Sequence, residues 1–142
     1  MKAIKVKYHT DINPIEQTKN GDWIDMRAAE TVTLQKGEFK LISLGVSMKL
    51  PKGYEAHIVP RSSTYKTFKV LQANHCGIVD NSYSGDNDIW KFPALAMSNT
   101  TIQKNDRICQ FRLVKSQEKL KIETVNKLDD NNRGGFGSTG VR

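Results

Sequence analysis

Ile42-Ser-Leu-Gly-Val-Ser-Met-Lys-Leu50-Pro-Lys-Gly53 decides the fold class. Ile42, Leu44, Val46, Met48 and Leu50 alternate with Ser43, Gly45, Ser47 and Lys49, and Pro51 with Gly53 ends the run. A period of two belongs to a strand with one buried face, and Pro-x-Gly is turn chemistry. The same grammar recurs on both sides of this stretch. Ile4-Val6-Tyr8, Thr31–Leu34, Glu55–Val59, Ala94–Met97, Ile108–Val114 and Leu120–Val125 are further short strands in this reading. Gln35-Lys-Gly37, Ser84-Gly85-Asp86 and Lys104-Asn-Asp106 supply turns between them. No segment of about ten residues or more keeps the i, i+3, i+4, i+7 spacing of an amphipathic helix. Many short strands with turn signals predict an all-β sandwich or barrel-like domain, and no internal repeat is visible.

A chain of 142 residues is one domain's length. Its 37% hydrophobic content is below the globular average, so the core of one copy is expected to be modest and an oligomer to help. No apolar run is long enough to span a bilayer, and Met1–Lys7 alternates Lys with Ile and Val instead of forming a signal-peptide core. Cys76 and Cys109 make neither a disulfide framework nor a C-x-x-C pair. These features argue against secreted-scaffold, zinc-ribbon and membrane classes and predict a reducing, cytoplasmic home. Twenty-two Lys and Arg against 15 Asp and Glu leave a net charge of +7, which asks for an anionic partner. The lysines are spread out and mixed with acids, which weighs against a membrane surface or specific nucleic acid, and most of them read as a solvated basic surface.

Composition changes at Asp129. Asp129–Arg142, DDNNRGGFGSTGVR, holds four of the ten glycines and almost no aliphatic residue. It predicts a mobile arm (129–142) on a β domain (1–128). Gly135-Phe-Gly-Ser-Thr-Gly140 matches G-x-G-x-x-G, but a dinucleotide-binding turn must open a helix and only Val141 and Arg142 follow. What remains is an arm with exposed backbone N–H groups, the hydroxyls of Ser138 and Thr139, Arg133 nearby and one aromatic ring, Phe136. That combination suits a flap closing over a phosphate ester.

Three further segments carry chemistry. Pro60-Arg61-Ser62-Ser63 follows a predicted strand, and an Arg fork with short hydroxyls can hold phosphate oxygens. Gly77-Ile-Val-Asp80-Asn-Ser-Tyr83-Ser-Gly85 sets a carboxylate after an apolar pair and an aromatic ring three residues on. A carboxylate near phosphorus can orient and deprotonate water, and the ring can stack on a sugar. Taken singly, each also reads as a plain turn or hairpin. Asp25 sits in Trp23-Ile-Asp25-Met26 with no chemistry of its own in view. His9, His57 and His75 lack metal-ligand spacing, and Cys109 reads as a small buried apolar residue.

The order of the segments is more specific than any one of them. Trp23-Ile-Asp25-Met26, Arg61-Ser-Ser63, Gly77-Ile-Val-Asp80-Asn-Ser-Tyr83, Asp106-Arg-Ile-Cys-Gln110 and Arg133-Gly-Gly-Phe-Gly-Ser-Thr-Gly140 follow one another along one short β chain. This resembles the five-motif signature of the trimeric dUTPase family over roughly residues 20–140. Leu50-Pro-Lys-Gly-Tyr-Glu55 resembles the family's stretch before its Arg-Ser motif. Gly85-Asp-Asn-Asp-Ile-Trp90 and Phe92-Pro-Ala94 resemble the longer hairpin of the branch found in phages of Gram-positive bacteria.

The resemblance implies a distorted jelly-roll (β-clip) homotrimer. Each active site would combine motifs of two subunits with the C-terminal arm of the third. By motif, Asp80 would bind the sugar 3′-hydroxyl and activate water, and Tyr83 would pack under the deoxyribose. Backbone groups from Asn74 through Gly77 and Ile78 to Val79 would read uracil. Arg61, Ser62, Ser63 and Gln110 would hold phosphates. Phe136 would stack on uracil, with Gly137, Ser138, Thr139 and Arg133 around the γ-phosphate. Asp25 would reach Mg²⁺ only through water. Trp23-Ile24 replace the usual Gly-Tyr, Asn105 stands for Gly and Cys109 for Ala. Arg133 lies three residues before Phe136 where the family has five, and Asp86–Pro93 carries no role readable from the residues.

The implied reaction is Mg²⁺-dependent hydrolysis of dUTP to dUMP and pyrophosphate by in-line attack of water on the α-phosphorus. It would lower dUTP and supply dUMP for dTTP synthesis. Phosphoryl transfer needs positioning and charge neutralisation, and the arginines, hydroxyls, Gly-rich arm and single placed carboxylate provide them without a two-metal carboxylate cluster. The alternatives are a dCTP deaminase-like enzyme of the same fold, which needs a Glu beside the cytosine ring, and a regulatory module binding a repressor protein.

Overall fold

The computed structural model describes all 142 residues. Eleven strands form, in chain order β1 (Lys5–Tyr8), β2 (Ile24–Arg27), β3 (Val32–Leu34), β4 (Phe39–Ser43), β5 (Val46–Lys49), β6 (Tyr54–Pro60), β7 (Val70–Gln72), β8 (Gly77–Val79), β9 (Lys91–Ala96), β10 (Thr100–Ile102) and β11 (Arg107–Lys115). One short helix, α1 (Thr64–Phe68), stands between β6 and β7. The sheets run β2-β11-β6-β8, β4-β9-β7, β1-β5 and β10-β3, and every pairing is antiparallel. The all-β expectation holds, and no helix is long and apolar enough to cross a membrane.

The alternating run from Ile42 to Leu50 is not one strand. It changes sheet at Leu44-Gly45: β4 pairs with β9 and β5 with β1. Trp90 bridges the break, its carbonyl accepting from Leu44 N and its N–H donating to Val46 O, both at 2.9 Å. Gly45 has φ +69, and a Cβ there would lie 3.0 Å from both the Ala29 Cβ and the Thr10 Cγ2. Ile42, Leu44, Val46, Met48 and Leu50 are all in the core, but Gly45 and Ser47 between them are buried too, so the run is buried on both faces at its centre. The sheet they belong to was invisible in the pattern.

Leu120–Val125 is not a strand. Residues 117–142 contain no helix or strand and are exposed throughout. The alternation is present, but the segment pairs with no strand of this chain, and Leu120, Ile122 and Val125 are 62%, 94% and 53% exposed. Conversely β2, β7, β8 and β10, at three or four residues each, are too short to show a period.

Twenty-nine of 142 residues are buried, a small core for this length. Its largest members are Trp90, Phe92 and Phe111, with Trp90 edge-on to Phe111 at 5.2 Å between ring centroids. Thus Asp86–Pro93 is not a free insertion, because its second half enters the core and starts β9. Cys109 is fully buried as expected, and burial pushes its thiol pKa up beyond any ionisation near neutrality. Gly45→Ala should lower the unfolding free energy by about 2–4 kcal/mol, from the left-handed backbone plus the crowding on Ala29 and Thr10. Urea unfolding at fixed protein concentration measures it.

Candidate functional site

The four-stranded sheet carries two groups of functional side chains at opposite ends of β6. At the C-terminal end of β6 the chain leaves through Arg61 into α1. The Arg61 N–H donates to Thr64 Oγ1 at 2.8 Å, and the buried Thr64 hydroxyl donates to Ile108 O on β11 at 3.0 Å. Arg61 Nε donates to Asp25 Oδ1 at 3.1 Å, and an Arg61 terminal nitrogen donates to Arg107 O at 3.3 Å. Arg107 reaches Asp25 Oδ2 at 3.5 Å. Gln110 lies opposite Asp25 in the β2–β11 register and donates to Pro60 O at 3.1 Å. Ser62 is exposed and Ser63 half-buried at the start of α1. Two guanidinium groups held on one carboxylate, with hydroxyls and an amide beside them, form a cationic shelf suited to phosphate oxygens.

At the other end, β8 runs antiparallel to β6 with Ala56 opposite Val79. Asp80 therefore leaves the sheet beside the start of β6. It opens onto a cleft of about 400 Å³ lined by Asn74, Gly77, Ile78, Val79, Ser82, Tyr83 and Trp90 among others. The Ser82 hydroxyl and, at 3.2 Å, the Ser82 N–H both donate to Asp80 Oδ2, leaving Oδ1 unengaged. Those two bonds, with a smaller pull from Lys119, hold the Asp80 pKa below the ordinary carboxylate range. Tyr83 is 42% exposed and its hydroxyl donates to Ile89 O at 3.1 Å, so the ring stands as a tethered wall. The turn from Ala73 to Cys76 is closed by Cys76 N–H donating to Asn74 O at 2.6 Å.

Arg133, Phe136, Gly137, Ser138 and Thr139 touch neither group. The arm is folded only on itself, through Gly135 N–H to Ser138 Oγ at 2.6 Å. The structure thus brings Asp25, Arg61, Ser62, Ser63 and Gln110 together, and separately Asn74, Gly77, Ile78, Val79, Asp80 and Tyr83. Asp80 stands at the far end of β6 from Arg61, whereas the Asn74–Cys76 turn runs back toward Val59 and Pro60; the arm bonds to neither set. From Ala56 to Arg61 is five residues of strand, roughly 15–20 Å at about 3.3 Å per residue.

Some residues of these clusters carry no signal in the sequence. Arg107 lies within Asp106–Gln110, and only the β2–β11 pairing shows that it shares Asp25 with Arg61. Ser82, Ile89 and Thr64 act through hydrogen bonds with no sequence periodicity. No group of three or more His, Cys, Asp or Glu is placed to hold a metal ion. His57 pairs with Glu55 at 2.6 Å and His9 with Ser47 at 2.8 Å.

The dUTPase family model matches residues 9–140. The chain belongs to the dUTPase family. It is 56% identical over 143 residues to the SPbeta prophage-derived deoxyuridine 5′-triphosphate nucleotidohydrolase of Bacillus subtilis, covering 98% of this chain and 99% of the relative. It is 33% identical to the deoxyuridine 5′-triphosphate nucleotidohydrolase of Crocosphaera subtropica, covering 99% of each. Solved phage dUTPases share the jelly-roll fold. The Staphylococcus bacteriophage 80alpha enzyme with dUpNHpp superposes with TM-score 0.78 at 17% identity over 92% of this chain and 100% of that one. It is described among phage dUTPases that control transfer of virulence genes by a G protein-like mechanism. The dUTPase of phage phi11 of S. aureus, described with a structural Mg(II) ion, gives 0.75 at 16% identity over 90% and 99%.

Removing one donor from Asp80 tests the electrostatics of this dUTPase-family site directly. In Ser82→Ala, the Asp80 titration midpoint should move up toward the ordinary carboxylate value, read by carboxyl carbon NMR.

Proposed function

We propose that this chain hydrolyses dUTP to dUMP and pyrophosphate by in-line attack of water on the α-phosphorus, keeping dUTP low and feeding dTTP synthesis in the cytoplasm, the host's if the chain is phage-encoded. The observation that carries the reading is an ionised carboxylate, Asp80, at the mouth of a cleft walled by Tyr83 and the Asn74–Val79 hairpin. In this reading the hairpin takes the uracil and the Tyr83 ring lies against the deoxyribose, excluding a 2′-hydroxyl. Ser82 occupies Oδ2 of Asp80, so Oδ1 is free to accept from water or from the sugar 3′-hydroxyl. The lowered pKa keeps Asp80 charged at neutral pH but makes it a weaker base, so its part is first to orient the attacking water through Oδ1.

Arg61, Ser62, Ser63 and Gln110 are assigned to the phosphates. Arg107 joins them, because Asp25 holds both guanidinium groups. Asp25 is thereby neutralised, and although Glu16 lines the same hollow, no group of three or more His, Cys, Asp or Glu surrounds it to form a protein-only metal site. These residues fit a hydrated Mg²⁺ carried mainly by the triphosphate, with Asp25 reaching it only through water. Such an ion would neutralise phosphate charge. The arm is assigned to closing the site, with Phe136 over the base and Arg133, Gly137, Ser138 and Thr139 at the outer phosphates.

Asp80 and Arg61 of one copy lie at opposite ends of β6, a separation that supports sites shared between copies. A homotrimer sharing its sites answers this separation. The apolar row Phe39–Leu95–Leu71 across the outer face of β4-β9-β7 supports it, with Phe39 and Leu71 at 56% and 43% exposure. A regulatory protein partner is carried only as a second role beside catalysis.

Asp80→Asn should bind dUTP as the parent does and lose about 10²–10⁴-fold in turnover, measured as pyrophosphate release. Asp80→Asn and Arg61→Ala, each inactive alone, should regain activity when unfolded and refolded together; no recovery would place both residues in one subunit's site. Deleting residues 133–142 should leave the oligomer intact by light scattering with turnover largely gone.

A further inference from the structure

Gln72 is a polar side chain in a place that cost folding something. It ends β7, is 8% exposed, and its Oε1 is buried without a hydrogen-bond partner. A buried orphan acceptor is uncommon in folded proteins and asks for a reason. Its amide nitrogen shows one. Gln72 Nε2 donates to Ile58 O on β6 at 2.9 Å and to Asn74 Oδ1 at 2.9 Å.

This pair of bonds has a fixed polarity. The Ile58 carbonyl can only accept, so the Gln72 nitrogen, not its oxygen, must face it. The second hydrogen of that nitrogen can only be given to an acceptor, so Asn74 must turn its oxygen toward Gln72. The Asn74 amide nitrogen is then left facing away. It lies 3.6 Å from where a Cβ on Gly77 would stand, over the hairpin that lines the Asp80 cleft. An amide free in solvent would offer either end to a ligand with little preference; this one offers its donor.

We propose that Gln72 is a positioning residue for base selectivity. It holds Asn74 with its NH₂ group toward the C4 substituent of the bound pyrimidine, favouring a carbonyl there and opposing an amine. Resting on the dUTP reading above, this makes discrimination between uracil and cytosine nucleotides depend on a residue that touches neither. A carbonyl completes the Asn74 donor, whereas the amine of cytosine sets donor against donor.

The test compares kcat and KM for dUTP and for dCTP in the full-length protein, by pyrophosphate release. Gln72→Met keeps length and burial but removes the donor, freeing Asn74 to turn. Its KM for dUTP should rise, its kcat should stay close to parental, and its dUTP-over-dCTP ratio of kcat/KM should fall about tenfold, the scale of one hydrogen bond in a desolvated site. Asn74→Asp, a near-isosteric change at an exposed position, should lower the same ratio at least as far by presenting oxygen in place of the NH₂ group. A merely structural role for Gln72 would depress both nucleotides equally, and an unchanged ratio in Gln72→Met overturns the proposal. If Gln72→Met does not fold, an unchanged ratio in Asn74→Asp overturns it instead. Parental protein that releases no pyrophosphate from dUTP would sink the underlying activity, a separate result.

Discussion

The register of β6 against β8 and β11 is the constraint on which the rest depends. Antiparallel pairing sets Val79 opposite Ala56 and Cys109 opposite Pro60. It follows that Asp80 emerges at one end of β6 and the Arg61–Asp25–Arg107 cluster at the other. A slip of one residue would turn Ile58 and Phe111 out of the core, so burial of those side chains fixes where the chemistry stands. The hydrophobic core and the functional geometry are set by the same pairing.

Both clusters are braced by hydrogen bonds of their own. The cationic shelf is cross-braced through Asp25 and through the buried Thr64 hydroxyl, which joins the start of α1 to β11. The acidic cleft is braced by Ser82 on Asp80 and by Ile89 on Tyr83. Ile89 is in turn held because its neighbour Trp90 is clamped between β4 and β5 and packs on Phe111. The Asp86–Pro93 segment thus ties the Tyr83 ring to the centre of the fold. Pre-set donors and charges lose little on binding, which is what a reaction dominated by positioning and charge neutralisation requires.

What is left loose is as informative. Residues 117–142 are exposed throughout, and the outer face of β4-β9-β7 presents Phe39, Leu41 and Leu71. A hydrophobic core of 23 buried residues and an exposed apolar row are consistent with the proposed sharing of sites between copies.

The residue pattern by itself determined the fold class, the turns at Gly37, Gly53 and Asn105, the buried nature of Cys109 and, through motif order, the family. Those features are local: a period of two, a Pro-x-Gly turn and a linear string of motifs are written in neighbouring residues. It could not show that Ile42–Leu50 divides between two sheets at Gly45, because alternation looks the same on either side of a crossover. It misread Leu120–Val125 as a strand, because a pattern carries no information about whether an edge is available to pair with. Nor could it show that Arg107 shares Asp25 with Arg61, that Ser82 holds one oxygen of Asp80, or that Gln72 sets the polarity of Asn74. Each of these is a hydrogen bond whose partner is chosen by strand register and turn closure. Sequence proposed the chemical groups; only tertiary structure decided which of them meet, and that Asp80 and Arg61 of one chain do not.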